Sequence, residues 1–221
     1  MARLILGCFL LVITGVLSQA QTTVFQENFS SPASSVNFST SSPIATGSIW
    51  KLNRSGVDFG ARINSGFLDV TNDASGSGNV SGWAFSFVNS TTDFLGNTYK
   101  NTISQNTGPV EWVFNFRQIR SDPSGFASGS YGVAFVLGCD TTNPNLSTAK
   151  GYAVILGQTG SSDSVKMVRF TSGLVNFTPI IVANGDFGAE FLSTKVTYNP
   201  TTQQWELFLR NDGSTGFKNP D

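Results

Sequence analysis

The chain has 221 residues, of which 39% are hydrophobic and 12% charged, with 19 Phe and a formal net charge of −1. This length suits one large all-β domain or two small ones, and the absence of a basic cluster excludes a nucleic-acid-binding protein. The chain also contains no His, which excludes Ser-His-Asp and Cys-His catalysis.

Residues 1–20 are predicted to be a signal peptide. Arg3 precedes an apolar run, residues 4–17, and Ser18-Gln19-Ala20 is a small-x-small cleavage site before Gln21. A membrane anchor is the alternative, but the apolar run is short for a transmembrane helix. We therefore expect a mature domain over 21–221 that has no membrane span and is secreted to the exterior or the cell surface.

The mature chain is predicted to consist of short strands separated by turns rich in Gly, Asn, Ser, Thr and Pro. No segment has sustained helical periodicity. This pattern predicts an all-β fold, a two-sheet antiparallel jelly-roll sandwich. The predicted strands are 23–29, a hairpin over 58–72, 79–88, 110–119, 131–138, 151–157, 164–171, 177–183, 193–199 and 203–210, the last two joined by Pro200-Thr201-Thr202.

Two of these strands, "YGVAFVLG" (131–138) and "GYAVILG" (151–157), carry large side chains on one side and mostly small ones on the other. We expect the large sides to fill the space between the two sheets. The small sides should lie where a backbone, a loop or a ligand comes close, since glycine in a strand often marks such an approach. The large side consists of Tyr131, Val133, Phe135 and Leu137 in the first strand and Tyr152, Val154 and Leu156 in the second.

Several segments resemble the concanavalin A-like lectin/glucanase domain of exported bacterial proteins, which often carry a C-terminal sorting domain. The resemblance covers about residues 23–217 and rests on "VFQENFS", "EWVFNFRQI", "YGVAFVLG", "GYAVILG" and "KVTYNPTTQQWELFLR". It implies a jelly roll whose last strand or strands would lie beyond Asp221. The fold hosts lectins, glycosidases, adhesins and structural modules, so it does not define an activity.

Two motifs of the family are incomplete in this chain. Glucanases of this fold carry Glu-x-Asp-x-Glu strands, whereas the acidic residues Glu27, Glu111, Glu190 and Glu206 are isolated here. Retaining hydrolysis needs two carboxyl groups close together, so a glycosidase would require carboxylates that converge from different strands. Tyr131 stands where legume-type lectins carry a sugar-binding Asp.

Glycan-binding residues are expected among aromatic and polar side chains on an exposed sheet face. Trp83 and Tyr152 are the aromatic candidates, and Asn115 and Arg117 are the polar ones. In the strand 110–119, Trp112, Phe114 and Phe116 share one side and are expected in the core. Asn115 and Arg117 therefore face outward.

A structural Ca²⁺ site is considered in the loop "CDTTNPN", where Asp140, Asn143 and Asn145 offer oxygen ligands. The alternative is that these side chains cap their own backbone as Asx turns. Cys139 has no catalytic partner in a chain without His and is expected to be a structural residue at a strand end.

These observations together predict a secreted, non-catalytic recognition or adhesion module that binds a polysaccharide or another glycan. Two alternatives remain open: a structural module of a larger exported protein, and a divergent glycoside hydrolase.

Overall fold

The computed structural model describes residues 21–30, 38–64, 66–71, 81–90, 99–126 and 131–219; the predicted signal peptide lies outside these residues. The described chain is all-β, as predicted, with two short 3-10 turns at Ile103–Gln105 and Leu174–Asn176. Its strands are β1 (Lys51–Ser55), β2 (Gly60–Asn64), β3 (Phe67–Thr71), β4 (Trp83–Phe87), β5 (Val110–Phe116), β6 (Val133–Cys139), β7 (Gly151–Leu156), β8 (Val165–Phe170), β9 (Phe177–Ala183), β10 (Phe191–Asn199) and β11 (Gln204–Gly213).

Two larger antiparallel sheets contain most of these strands. One has three strands in the order β11-β10-β5, and the other has four in the order β6-β7-β8-β9. The predicted hairpin across Pro200-Thr201-Thr202 is confirmed, since Asn199 pairs with Gln204 and Tyr198 with Trp205. Sequential pairing explains the four-stranded sheet, because short turns join each of its strands to the next.

The main core lies between these two sheets. The large side chains of β6 and β7 point into it, as the alternation in their sequences predicts, and meet side chains from β5 and β10. The rings of Phe114 and Phe135 stack across the interface with centroids 3.6 Å apart. The fully or nearly fully buried members of this core are Phe114, Phe116, Leu137, Val154, Leu156, Val165, Met167, Leu192 and Val196.

The small sides of β6 and β7 form a second core instead of an open patch. Ala153 and Ile155 are fully buried there, and Phe85 of β4 and Phe126 of a preceding loop pack over them. A β-carbon on Gly151 would lie less than 3.0 Å from the carbonyl oxygen of Gly138. The expected close approach is therefore made by the protein's own backbone and loops, and both faces of β7 are buried.

The remaining strands form two ribbons, β1-β4 and β2-β3, around a third cluster of buried side chains. The β2-β3 pair is the hairpin predicted over 58–72. Among the described residues the strands thus belong to four sheets, two of which enclose the main core. The buried members of the third cluster are Ile44, Leu52, Ala61 and Ile63.

Three local expectations are wrong. Residues 23–29 form no strand, because Glu27 accepts a hydrogen bond from the main-chain N–H of Phe29 at 2.7 Å and turns the chain locally. Strand β1 was not predicted, since in "KLNRS" only Leu52 is apolar. Tyr131 lies before β6 begins and is exposed, with the guanidinium of Arg120 3.6 Å from its ring centroid.

Candidate functional site

The candidate site is the face of the β11-β10-β5 sheet that points away from the main core, here called the outer face. Its side chains alternate with the core residues along all three strands. The register places them in three cross-strand rows: Asn115–Ser193–Arg210, Val113–Lys195–Phe208 and Glu111–Thr197–Glu206.

A buried carboxylate organises the first row. Asp212 accepts hydrogen bonds from the Ser193 hydroxyl at 2.5 Å and from Nε of Arg210 at 2.8 Å. Burial alone would raise the pKa of Asp212, but the hydrogen bonds from Ser193, the main chain of Lys218 and Arg210, together with the Arg210 charge, lower it to about 2. Asp212 is therefore ionised at neutral pH, and it fixes both partners.

The chain after β11 forms a wall along this row. The Lys218 carbonyl accepts a hydrogen bond from Nδ2 of Asn115 at 3.0 Å, and the Lys218 N–H donates to Asp212 at 2.9 Å. The guanidinium of Arg210 also donates to the carbonyl of Asn219. Residues 217–219 are thus tied to β5 and β11 at one edge of the outer face.

A shallow groove of about 210 Å³ crosses the outer face next to this wall. Phe208 is 49% exposed, and the Lys195 ammonium lies 5.4 Å from the centroid of its ring. Beyond Phe208 along β11, the Glu206 carboxylate accepts a hydrogen bond from the Thr197 hydroxyl at 2.8 Å. The groove is lined by Ser193, Thr194, Lys195, Phe208, Leu209 and Arg210.

The two polar residues predicted to bind ligand both lie near this face. Asn115 points outward as predicted and is held by the Lys218 carbonyl. Arg117 follows the end of β5, where its Nε donates to the Ala189 carbonyl at 2.8 Å and its guanidinium lies 4.1 Å from the ring centroid of Phe191. Both side chains are therefore engaged within the protein.

The two predicted aromatic ligands lie elsewhere. Tyr152 is on the large side of β7, packed between the sheets with its ring centroid 4.7 Å from that of Trp205. Trp83 is half-buried in β4, 5.1 Å from Phe85. The structure does not bring these two residues together with Asn115 and Arg117, because β4 and β7 belong to other sheets.

The proposed calcium ligands in the loop after β6 are used by the backbone. Oδ1 of Asp140 accepts a hydrogen bond from the Lys150 N–H at 2.8 Å, and Oδ1 of Asn143 accepts one from the Asn145 N–H at 3.0 Å. These contacts are the Asx-type turns that were the alternative interpretation. Cys139 is the last residue of β6 and is half-buried, as expected for a structural cysteine.

Sequence reasoning missed the residues that line the groove. The signal was present in "QQWELFLR", where Trp205, Leu207 and Leu209 alternate with Glu206, Phe208 and Arg210. Because the first set points inward, Phe208 must point outward. An aromatic residue at an outward position is the feature that marks this strand as part of a binding face.

Comparison of the chain with protein-family models, curated proteins and solved structures gives no match. In the part of the chain that the structure describes, no helix has the length and apolar character needed to cross a bilayer.

Proposed function

We propose that this protein is a secreted, non-catalytic recognition or adhesion module that binds polysaccharides or other glycans through its outer face. The observation that supports this most is the exposed Phe208 ring on a regular sheet face, bordered by hydrogen-bonding side chains. A sugar ring has an apolar C–H face and a rim of hydroxyl groups. An aromatic side chain offers apolar area to the first, and neighbouring polar groups bond to the second.

The shape of the face favours an extended ligand. Successive outward residues of a strand are about 7 Å apart, so Glu206, Phe208 and Arg210 form a row along β11. The groove beside them is shallow and open, unlike the deep pockets that enclose small molecules. A polysaccharide chain lying along the row would contact a ring in the centre and charged or hydroxyl groups on both sides.

The resemblance to concanavalin A-like domains supports the same proposal, because lectins are among the proteins with that fold. A structural module is the main alternative. It is favoured by the second core, where Phe85 and Phe126 cover the other face of the four-stranded sheet. A divergent hydrolase would have to use Glu111 and Glu206, the two exposed carboxylates that flank Thr197 on the outer face.

The test is a binding screen of the purified mature protein, residues 21–221, against neutral and acidic polysaccharides, followed by calorimetric titration of any ligand found. Phe208→Ala should weaken the affinity by about tenfold or more. Val182→Ala is the control, since Val182 is similarly exposed but lies on β9 of the opposite sheet. Both variants should keep the far-UV circular dichroism of the wild type.

Three outcomes would overturn the proposal. Absence of saturable binding to every polysaccharide would favour the structural module. Binding that Phe208→Ala leaves unchanged would place the site elsewhere. Release of reducing ends, abolished by Glu206→Gln or Glu111→Gln, would make the protein a hydrolase.

A further inference from the structure

Asp163 is a buried carboxylate without a partner among the described residues. It lies in the loop between β7 and β8 with 0% exposure, and neither of its side-chain oxygens has a hydrogen bond from a described residue. The main-chain N–H of Gln158 favours its charged form without meeting hydrogen-bond geometry. A buried carboxylate is strongly disfavoured unless it is protonated, paired with a cation or bound to a metal.

A second oxygen converges on the same place. A β-carbon on Gly188 would lie no farther than 2.9 Å from both Oδ2 of Asp163 and the carbonyl oxygen of Ser121. Ligand oxygens of Ca²⁺ lie about 2.3–2.6 Å from the ion, so one ion can bridge two oxygens with this spacing. Glycine at 188 leaves that space free, and the main-chain N–H of Phe187 donates to the Asp163 carbonyl at 3.2 Å, which fixes the two loops together.

The charge around Asp163 is negative. Burial raises the pKa of Asp163 first, and the neighbouring carboxylates of Asp122 and Asp186 raise it further. A nearby cation, the Lys166 ammonium, favours the charged form but donates its hydrogen bond to Oε1 of Gln158 at 2.8 Å. Within the described ranges no ion pair joins Asp163 to Lys166, so three carboxylates face an ammonium group that is already engaged.

We infer that Asp163 and the Ser121 carbonyl form a Ca²⁺ site, completed by water and by Asp122 or Asp186 from the two loops that face Asp163. The ligands are all oxygens, which suits Ca²⁺, and its variable coordination tolerates main-chain groups. No ready-made cluster of three acidic, His or Cys side chains occurs in the described ranges. The site therefore belongs to the weak class of extracellular calcium sites, with dissociation constants of about 0.1–1 mM.

The role of the ion would be structural. It would join the loop after β5, the β7–β8 loop and the loop before β10 at one end of the main core. This inference is independent of the glycan proposal, because the site lies outside the outer face.

The experiment measures thermal unfolding and calorimetric binding of the mature protein, first freed of metal by a chelator, with Ca²⁺ added to about 10 mM, well above the expected dissociation constant. Wild type should bind Ca²⁺ and its Tm should rise by a few degrees. Asp163→Asn should lose both responses; because it removes a buried charge, it should also fold without calcium. Asp140→Asn is the matched control and should keep both, since the amide oxygen of the new side chain would still accept the hydrogen bond from the Lys150 N–H.

The contrary results are equally defined. If wild type shows neither binding nor a Tm shift, Asp163 is a protonated acid, and carbon-13 NMR of its carboxyl group at pH 7 will show the protonated form. If Asp163→Asn keeps the calcium response, the ion binds elsewhere. Loss of the response in Asp140→Asn alone would assign the site to the loop after β6.

Discussion

The Ser193 hydroxyl donates a 2.5 Å hydrogen bond to the Asp212 carboxylate across the β10-β11 pair. This contact lies beneath the wall formed by residues 217–219 and connects it to the sheet. Because Asp212 is buried and ionised, its loss affects both the fold and the edge of the outer face.

Asp212→Asn should lower the free energy of unfolding at pH 7 and flatten its dependence on acid pH. The folded pKa of about 2 lies below the ordinary 3.8. The stability contributed by the ionised carboxylate is therefore present above pH 3.8 and is lost as the pH falls toward about 2. Urea unfolding at several pH values between about 2 and 7 measures the difference between the two proteins.

The control is Asp69→Asn, which removes a partly exposed ion pair with Arg62 at 2.8 Å. Exposed pairs contribute little, about 0–1 kcal/mol, so this variant should follow the wild-type pH profile. If Asp212→Asn follows it too, the buried network does not stabilise the fold.

Leu156→Ala should destabilise the protein by about 2–5 kcal/mol, because it leaves a cavity in the main core at a residue with 0% exposure. Leu146→Ala makes the same change at a residue that is 46% exposed and should cost about 0.5 kcal/mol or less. Urea unfolding of the two variants measures both values. Equal destabilisation would contradict the assignment of Leu156 to the space between the sheets.

Gly151→Ala should destabilise the fold by about 1–3 kcal/mol or more through overpacking. The new methyl group would lie less than 3.0 Å from the Gly138 carbonyl and from the ring of Phe170. Gly138→Ala, at which a β-carbon meets nothing within 4 Å, is the neighbouring control and should fold normally. The melting temperatures of both variants test this, and an unchanged value for Gly151→Ala would show that the strands can move apart.

Cys139 should react slowly with an aromatic disulfide reagent at pH 7. Burial raises the pKa of its thiol above the ordinary 9.0, and the negative charge of Asp140 adds to the effect. The rate should increase as the pH passes 9.0 and should be much higher after unfolding in urea. Cys139→Ser provides the blank, and equal rates for native and unfolded protein would show that the thiol is freely accessible.

Side-chain alternation was sufficient to predict the main strands. In β6, β7 and β11 the large residues at every second position point into the core, so the fold class and the outward direction of Asn115 were predictable. The edges of the fold were not. Strand β1 is mostly polar and is held by its pairing with β4, which no local pattern reveals.

The candidate sites depend on contacts between distant segments. Phe208 was recognisable as an outward residue, but its neighbour Lys195 follows from the register of β10 and β11. Asp163 lies in "SSDS", which by sequence is an ordinary polar turn. Its burial results from loops around Ser121 and Phe187 that fold over it.

The wall at residue 218 also sets an order of events during synthesis. Asn115 and Lys218 are joined by a hydrogen bond although they are 103 positions apart. At roughly 5–20 residues per second, the ribosome needs about 5–20 s to reach the second after making the first. A nascent chain can therefore assemble strands β5 to β9 while the Asn115 amide still bonds to water, and the outer face is completed only after Lys218 leaves the exit tunnel.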